Sequence, residues 1–364
     1  MSTTTITLDR RAVTPGQAVG LDSTPSVSTR RPWPFHHSQF SWLANRPLLR
    51  CLGSGGQGVV YLSERVGADG FVLPVALKFF APTRYLDDES YDLAMGRIAQ
   101  VAAQVARIQQ DHLVDIHNFV AYEGIRAIEM EWVDGYDLGR LLNHEKFEAI
   151  RDNVAASRWE YLNDVVISCG TDQPRLKPGI AVAILRDCLG ALAALHKQGI
   201  VHSDVKPSNI MAKRTGSVKI IDVGSAFALD DRPTEHICTP GYAAPEVLDG
   251  ADPSPQSDLA SLGYVLFEML SGRRQATNDT HHAVLLAGKN RLVDDLPQLL
   301  PAEVLQNGLL TELIHHLVHP DLSVRFASAE AAEAQAAQFH QQLVKGDLAS
   351  EYETEIRSWI EAVG

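Results

Sequence analysis

Cysteine is scarce in this 364-residue sequence, and the few cysteines are widely separated. No two of them form a C-x-x-C pair, so they indicate neither a zinc site nor a disulfide framework and fit a reducing compartment. Apolar residues make up 45% of the chain and charged residues 21%, which is ordinary for a soluble globular protein and excludes collagen-like or wholly disordered chains. The four cysteines are Cys51, Cys169, Cys188 and Cys238.

Uninterrupted apolar runs and excess positive charge are also lacking. The longest apolar stretch near the middle, AVAILRDCLGALAALH, is broken by Arg186 and Asp187, which predicts a buried amphipathic helix and no membrane span. The start of the chain has no apolar region of the secretory type. Residues 1–50 hold six Arg and two Asp and so have a formal net charge of +4. Because the whole chain has a net charge of −13, the other residues together carry −17. Because nucleic-acid binders present a basic face, this acidic body argues against a nucleic-acid partner.

The periodicity of the chain changes from strands to helices along its length. Strand patterns flank a glycine turn near residues 47–64, recur in FVLPVALKFF, and return after a helical pattern at residues 88–110. After Gly135 the pattern is mostly helical. This order predicts an α+β fold of two lobes that meet near residues 132–135.

Composition divides the chain into three parts. Residues 1–45, rich in Ser, Thr, Pro and Arg, are predicted to lack fixed structure. Residues 46–335 form the main domain, with a less periodic insertion at about 146–179. Residues 336–364 are predicted to be a helical tail.

The glycine turn has the spacing G-x-G-x-x-G at Gly53, Gly55 and Gly58, a weak signal by itself. A dinucleotide fold needs a helix after the third glycine, whereas strand residues follow Gly58 here. A hairpin whose backbone N–H groups close on phosphates fits better. Lys78, on the next strand and on the same face as Ala76, is then a candidate partner of the α and β phosphates of ATP.

The segment HSDVKPSN carries the stronger signal. Asp204 can accept or orient a hydroxyl proton, Lys206 can neutralise a transferring phosphoryl group, and Asn209 offers an oxygen to a cation. Thirteen residues beyond Asn209, Asp222 precedes a flexible Gly224 and is suited to hold Mg²⁺ against phosphates.

Together these motifs resemble those of eukaryotic-like (Hanks-type) Ser/Thr protein kinases, over residues 46 to about 335. The resemblance implies a bilobal fold, with a mainly antiparallel N-lobe at 46–131 and a helical C-lobe at 132–335, and implies that TPGYAAPE ends an activation segment. It also implies that Glu246 pairs with Arg325 and that Asp258 anchors the catalytic loop. The nucleotide-binding residues it implies are Gly53, Ser54, Gly55, Gly56, Gln57, Gly58, Val60, Ala76, Lys78, Met130, Glu131, Val133 and Asp137. Catalysis would rest on Asp204, Lys206 and Lys78, and the metal on Asn209 and Asp222.

The sequence departs from this family at three places. The first helix has no Glu at the position that the family pairs with Lys78, since Glu89 and Asp92 lie two to three turns too early. Counting back from HLVDI reaches Val101, and its polar neighbours Gln100 and Gln104 are the candidates, with Gln104 preferred. Val223 stands where the family usually has Phe, which predicts a looser hold on that helix. Ser203 replaces the Arg that a phosphorylated activation loop usually neutralises, and this predicts activity independent of such phosphorylation.

The expected reaction is transfer of the γ-phosphoryl group of ATP, with Mg²⁺ or Mn²⁺, to a Ser or Thr hydroxyl of a protein. A pseudokinase that only binds nucleotide, and a small-molecule kinase with the insertion as a lid, remain alternatives. The N-terminal segment could hold autophosphorylation sites, tether a partner protein or direct export. The expected location is the cytoplasm, or the cytosol of a host or target cell after export.

Overall fold

A five-stranded antiparallel sheet forms the N-terminal lobe in the computed structural model of the chain, which describes residues 6–9, 47–275, 281–345 and 351–363. Within these residues the strands are β1 (Ile6–Asp9), β2 (Leu48–Gly55), β3 (Gly58–Val66), β4 (Val72–Phe80), β5 (Ile116–Tyr122), β6 (Ile125–Glu131), β7 (Gly135–Asp137), β8 (Ile167–Ser168), β9 (Arg175–Leu176), β10 (Ile200–Val201), β11 (Ile210–Lys213), β12 (Val218–Ile220), β13 (Phe227–Ala228) and β14 (Glu235–Cys238). The helices are α1 (Asp88–Val105), α2 (Leu138–Leu141), α3 (His144–Asn153), α4 (Ala156–Val165), α5 (Pro178–Lys197), α6 (Pro245–Leu248), α7 (Pro255–Ser271), α8 (His282–Leu299), α9 (Ala302–Leu305), α10 (Gly308–Val318), α11 (Ala329–Lys345) and α12 (Tyr352–Val363).

The N-lobe sheet has the strand order β2-β3-β4-β6-β5, and α1 packs against it. The helix begins at a capping box, in which the Asp87 side chain accepts the Ser90 N–H bond and the Ser90 hydroxyl accepts that of Asp87. Its apolar face, which includes Tyr91, Met95 and Ile98, is buried. The predicted small, mainly antiparallel lobe with one main helix is confirmed.

The C-lobe is built around α5, which packs against α7 and α11. Helix α5 is long and apolar enough to cross a membrane, but 56% of its most apolar window is buried inside the protein. Arg186, one of the charges that interrupt its sequence, donates two hydrogen bonds to Glu333 of α11, at 3.0 and 2.7 Å. Its contacts are those of a core helix, as the interrupted pattern predicted.

Two short strand pairs hold the loops between the lobes. Strands β10 and β13 pair antiparallel, as do β11 and β12, and β7 completes a three-stranded sheet beside β11. Residues 202–209 connect β10 to β11, and residues 221–226 connect β12 to β13. The paired strands therefore bring these two loops together.

The insertion and the C-terminal residues pack against each other. The insertion contains α3, α4 and the β8–β9 pair, and α12 contacts α3, α5 and β11. Trp359 and Ile360 of α12 are fully buried, and Ile356 is 2% exposed. Helix α12 is thus an integral part of the C-lobe core.

Replacing Trp359 with Ala is expected to destabilise the protein by about 3–5 kcal/mol, the usual cost of removing a buried indole from a packed core. The midpoint of urea unfolding followed by far-UV circular dichroism measures this loss. Arg357→Ala, an exposed position on the same helix, is the control and should change stability by less than about 0.5 kcal/mol. A loss of stability in the Trp359→Ala variant as small as that expected for the control would show that the packing of α12 does not stabilise the domain.

The predicted unstructured segment 1–45 lies outside the described residues except at Ile6–Asp9. Those four residues form β1, which pairs with β14 and which the sequence did not predict. The predicted tail 336–364 begins inside α11, since that helix runs without interruption from Ala329 to Lys345.

Candidate active site

A buried carboxylate accepts hydrogen bonds from the backbone of the loop HSDVKPSN. Asp258 of α7, 1% exposed, accepts backbone N–H bonds from His202 and Ser203, each at 2.8 Å. His196 Nε2 lies 2.9 Å from the same carboxylate. Such charge-assisted bonds are stronger than neutral ones and fix the course of the loop. The prediction that Asp258 anchors this loop is confirmed.

Asp204, Lys206 and Thr239 form a closed hydrogen-bonded triangle. Lys206 Nζ donates to Asp204 Oδ2 at 2.7 Å and to Thr239 Oγ1 at 2.9 Å. Thr239 Oγ1 in turn donates to Asp204 Oδ1 at 2.7 Å. Because all three residues are buried, the bonds are strong and hold the carboxylate in one orientation. A carboxylate fixed in this way can accept a proton from a hydroxyl group.

Asn209 and Asp222 bring two more oxygen ligands near Asp204. Asn209 Nδ2 donates to the backbone oxygen of Asp204 at 2.8 Å, so its amide oxygen is the atom that can bind a cation. Asp222 Oδ1 accepts the Gly224 N–H bond at 2.8 Å. Burial alone would raise the pKa of Asp222, but the Lys78 ammonium and the Gly224 N–H lower it to about 2. The Asp222 carboxylate is therefore ionised at neutral pH.

Lys78 reaches this carboxylate from the N-lobe. Its Nζ donates to both carboxylate oxygens of Asp222, each at 2.7 Å, and to Gln57 Oε1 at 2.6 Å. Gln57 Nε2 donates to Ser225 Oγ at 2.5 Å. Gln57 therefore ties the glycine hairpin both to Lys78 and to the loop that carries Asp222.

The hypothesis that Gln104 takes the place of the missing Glu is wrong for this structure. Gln100 and Gln104 are both exposed, and Lys78 donates to Gln57 and Asp222 instead. Val101, at the counted position, is 5% exposed and belongs to the hydrophobic core. An apolar contact thus replaces the helix carboxylate, because the buried face of α1 is used for packing.

The glycine motif forms the tight hairpin between β2 and β3. Gly55 pairs with Gly58, and the strand continues past Gly58, which excludes the strand-to-helix turn of a dinucleotide fold. Gly58 has φ of +150°, and a Cβ there would lie 1.8 Å from the Phe79 carbonyl oxygen. Only glycine allows β3 to approach β4 this closely. Val60 lies two residues after Gly58, opposite Gly53 of β2 and opposite Lys78 of β4.

Comparison with protein families matches residues 47–339 to the family described as protein kinase domain. The chain belongs to the protein kinase family. Its relatives include Ser/Thr protein kinase PknD of Mycobacterium tuberculosis, 31% identical over 255 residues, which covers 69% of this chain and 33% of the relative. PkaB of Streptomyces coelicolor is 30% identical over 233 residues, covering 61% and 47%, respectively. PrkC of Bacillus subtilis is 30% identical over 230 residues, covering 62% and 30%.

These matches confirm the resemblance to bacterial Hanks-type Ser/Thr kinases and the bilobal kinase fold. The chain spans about a third to a half of the length of these relatives. The family uses ATP and a divalent metal.

The residues assigned to the adenine side of the kinase cleft lie where the lobes join. Met130 pairs with Ala76 across β4 and β6 and is 7% exposed, and Val133 follows β6 at 9% exposure. The Glu131 side chain forms an ion pair with Lys219, a buried lysine that no sequence motif indicates.

Asp137 is the last residue of β7 and caps the N-terminus of α2. Its Oδ1 accepts the Arg140 N–H bond at 2.9 Å, and its Oδ2 lies 3.1 Å from Arg140 Nε. Arg140 Nη2 also donates to the Leu52 backbone oxygen at 2.9 Å, which links α2 of the C-lobe to β2 of the N-lobe. Nothing in the local sequence marks Arg140, because the link depends on how the lobes meet.

The end of the activation segment is fastened at two points. Arg325 donates to both carboxylate oxygens of Glu246, at 2.6 and 3.0 Å, which confirms the predicted pair. Lys289 of α8 donates to the Gly241 backbone oxygen at 2.8 Å, and its Nζ lies 3.4 Å from the centroid of the Tyr264 ring. The Lys289 contacts were not predicted, and they hold the loop that follows Thr239.

Ser203 and Val223, the two unusual loop residues, are both accommodated in the structure. Val223 is 3% exposed and lies in the main hydrophobic core. Ser203 has φ of +69°, a left-handed conformation that costs energy for a residue other than glycine. Its N–H bond to Asp258 stabilises that conformation, and its Oγ donates to the Ile237 oxygen at 3.4 Å. The position next to Asp204 thus contacts the activation segment through a neutral hydroxyl.

Proposed function

We propose that the chain is an active Ser/Thr protein kinase that transfers the γ-phosphoryl group of ATP to a protein hydroxyl. The observation that carries this proposal is the buried triangle of Asp204, Lys206 and Thr239, with Asn209 and Asp222 beside it. The names of the relatives support Ser and Thr as acceptors. Transfer of labelled γ-phosphate to Ser or Thr residues tests the proposal.

The residues present fit a divalent cation with hard oxygen ligands. The ionised Asp222 carboxylate and the Asn209 amide oxygen are the ligand types that Mg²⁺ prefers, and Mn²⁺ accepts the same set. Two protein ligands are few, which suits a cation that shares its remaining positions with phosphate oxygens and water. When bound, the cation would neutralise charge on the phosphates.

The catalytic loop would act on the acceptor hydroxyl. Asp204 would take the hydroxyl proton as the oxygen attacks, since its carboxylate is oriented by Lys206 and Thr239. The Lys206 ammonium, 2.7 Å from Asp204, would also offset the negative charge of the phosphoryl group in transfer.

ATP binding requires a local exchange of hydrogen bonds. Lys78 contacts Asp222 and Gln57, so its Nζ must turn from at least one of them to the α and β phosphates. The N–H groups of the glycine hairpin would cover those phosphates. Since no helix carboxylate holds Lys78 during the exchange, we propose a slower enzyme than a kinase with the complete pair, because one positioning charge is absent.

We further propose that activity does not depend on phosphorylation of the activation segment. The supporting observation is that Ser203, next to Asp204, presents a neutral hydroxyl to Ile237, so there is no buried cation at this position for a phosphate to neutralise.

Replacing the exposed Thr234 with Ala should accordingly leave kcat within about twofold, the usual range for a surface substitution. Initial rates at saturating Mg·ATP measure this effect. Thr239→Ala is the matched comparison in the same segment and should lower kcat about tenfold or more, because it leaves buried bonding groups of Asp204 and Lys206 unmet. A collapse of activity in the Thr234 variant would refute independence from loop phosphorylation.

Two structural features bear on the alternatives. The insertion packs on α12, where Arg158 donates to the Ser358 backbone oxygen at 3.1 Å. This contact favours a packing role for the insertion over the substrate lid of a small-molecule kinase, and so supports a protein kinase. The pairing of Lys78 with Asp222 is compatible with a pseudokinase, and the transfer assay separates that alternative.

We propose the cytosol as the location, either of the producing cell or of a host or target cell after export. The support is chemical, since the four cysteines are free thiols, as expected in a reducing compartment. The insertion and the N-terminal segment are the proposed contact regions for a partner protein.

A further inference from the structure

The start of the chain is attached to the activation segment by a strand pair. β1 runs antiparallel to β14, with Ile6 opposite Cys238 and Asp9 opposite Glu235. A short strand that adds to an exposed backbone edge is a common mode of peptide recognition. Here the added strand comes from more than 220 positions away in the same chain.

The strand β14 lies directly beside the catalytic residues. Its last residue, Cys238, precedes Thr239, whose Oγ1 is 2.7 Å from Asp204 Oδ1. On the other side, Ser203 Oγ donates to the Ile237 oxygen at 3.4 Å. A peptide paired with β14 therefore runs along the segment that leads to the catalytic carboxylate.

The sequence around β1 has the character of a peptide substrate. STTTIT, residues 2–7, is rich in the hydroxyl groups that a Ser/Thr kinase accepts, and Arg10 and Arg11 follow the strand. Residues 1–50 carry +4 against −17 for the remainder, so long-range attraction favours binding of the segment to the acidic body. The antiparallel direction puts the Ile6 end of the strand at the catalytic end of β14.

We propose that β1 is an internal occupant of the protein-substrate site, bound by strand addition to Glu235–Cys238, and that it competes with external protein substrates. This proposal rests on the proposed function, because it assigns the peptide-binding edge of the same site. If the strand is docked nine-tenths of the time, the apparent KM for an external substrate is about tenfold higher than without it.

The test removes the pairing without shortening the chain. N–H groups of consecutive strand residues point alternately toward and away from the partner strand, so either Thr7 or Leu8 directs its N–H group to β14. The double variant Thr7→Pro with Leu8→Pro therefore removes one paired N–H group from the middle of β1, whichever residue carries it. The matched control, Ala12→Pro with Val13→Pro, makes the same change outside the bounds of β1. Dephosphorylated casein serves as the external substrate.

The β1 double variant is expected to lower the KM for casein about tenfold, with kcat and the KM for ATP unchanged, whereas the control matches the parent protein. Amide hydrogen exchange at residues 235–238 should become faster only in the β1 variant. An unchanged KM for casein in the β1 variant, or an equal change in the control, would overturn the proposal.

A binding experiment keeps this test separate from catalysis. A fluorescent peptide with the sequence STTTITLDRR should bind the β1 double variant more tightly than the parent chain, and excess casein should displace it. The same measurement on proteins that also carry Asp204→Asn needs no phosphoryl transfer. Peptide binding that casein leaves in place would overturn the proposal even in an inactive protein, whereas absent turnover with intact displacement would contradict only the proposed function.

Discussion

Asp204→Asn is expected to lower kcat for phosphoryl transfer about a thousandfold, within the range of 10²–10⁴ that a positioned general base contributes. The substitution keeps the size of the side chain but removes the charge that accepts the hydroxyl proton. It also removes the charge that holds the Lys206 ammonium at 2.7 Å, so the cation beside the transferring group loses its fixed position. Initial rates at saturating Mg·ATP and casein measure the loss.

The matched control for this variant is Asp164→Asn, which makes the same change at an exposed position on α4. It should leave kcat within about twofold. Affinity for ATP, measured by titration with a fluorescent analogue, should be retained by both variants, because Asp204 lies on the acceptor side of the site. An Asp204→Asn protein with more than about a tenth of the parent rate would be inconsistent with Asp204 as the base.

Lys78→Met is expected to reduce kcat/KM for ATP about a hundredfold or more, which is the usual loss when one preorganised charge is removed from a transition state. Methionine fills a similar volume, so the effect isolates the ammonium group. Lys78 Nζ is bonded to both carboxylate oxygens of Asp222, and its removal leaves that carboxylate without its strongest partner. Rates across a range of ATP concentrations give the two kinetic parameters.

Lys197→Met, at an exposed position near the end of α5, is the control for this change. A cycle with Asp222→Asn adds a second readout: if Lys78 and Asp222 act as a unit, the double variant should lose much less activity than the product of the two single losses. Equal activity of the Lys78→Met variant and the parent would show that transfer does not use this site.

The catalytic loop could be predicted from sequence because its geometry is local. Asp204, Lys206 and Asn209 lie within six consecutive residues, and the strands on either side of the loop leave little freedom in how they are presented. The same holds for the glycine hairpin, where the strand pattern after Gly58 distinguishes a hairpin from a strand-to-helix turn.

Contacts between distant parts of the chain could not be predicted in this way. The sequence suggested a helix glutamine for Lys78, but its partners are Gln57 and Asp222, which depend on how the hairpin and the C-lobe loop meet. Trp359 was predicted only as part of a helical tail, since burial depends on the surface it meets. The four residues of β1 are too few to show a period, and their partner strand is set by the folded domain.

The absence of a helix carboxylate beside Lys78 affects the packing of α1 and the catalytic role of Lys78 differently. Val101 contributes apolar packing where the family has a charge, so α1 is stabilised against the sheet without a charged contact to Lys78. The positioning of Lys78 then depends on Asp222 and Gln57. We therefore expect a working enzyme of reduced rate, with its acceptor chemistry intact.

The most direct measurement is incorporation of γ-³²P from ATP by the purified full chain with Mg²⁺ and casein, followed by acid hydrolysis and identification of the phosphorylated amino acids. We expect phosphoserine or phosphothreonine in the parent protein or in casein, at a level about a thousandfold above that in reactions with the Asp204→Asn protein. Label no higher than in the Asp204→Asn protein, with ATP binding intact, would contradict it and identify a nucleotide-binding module instead.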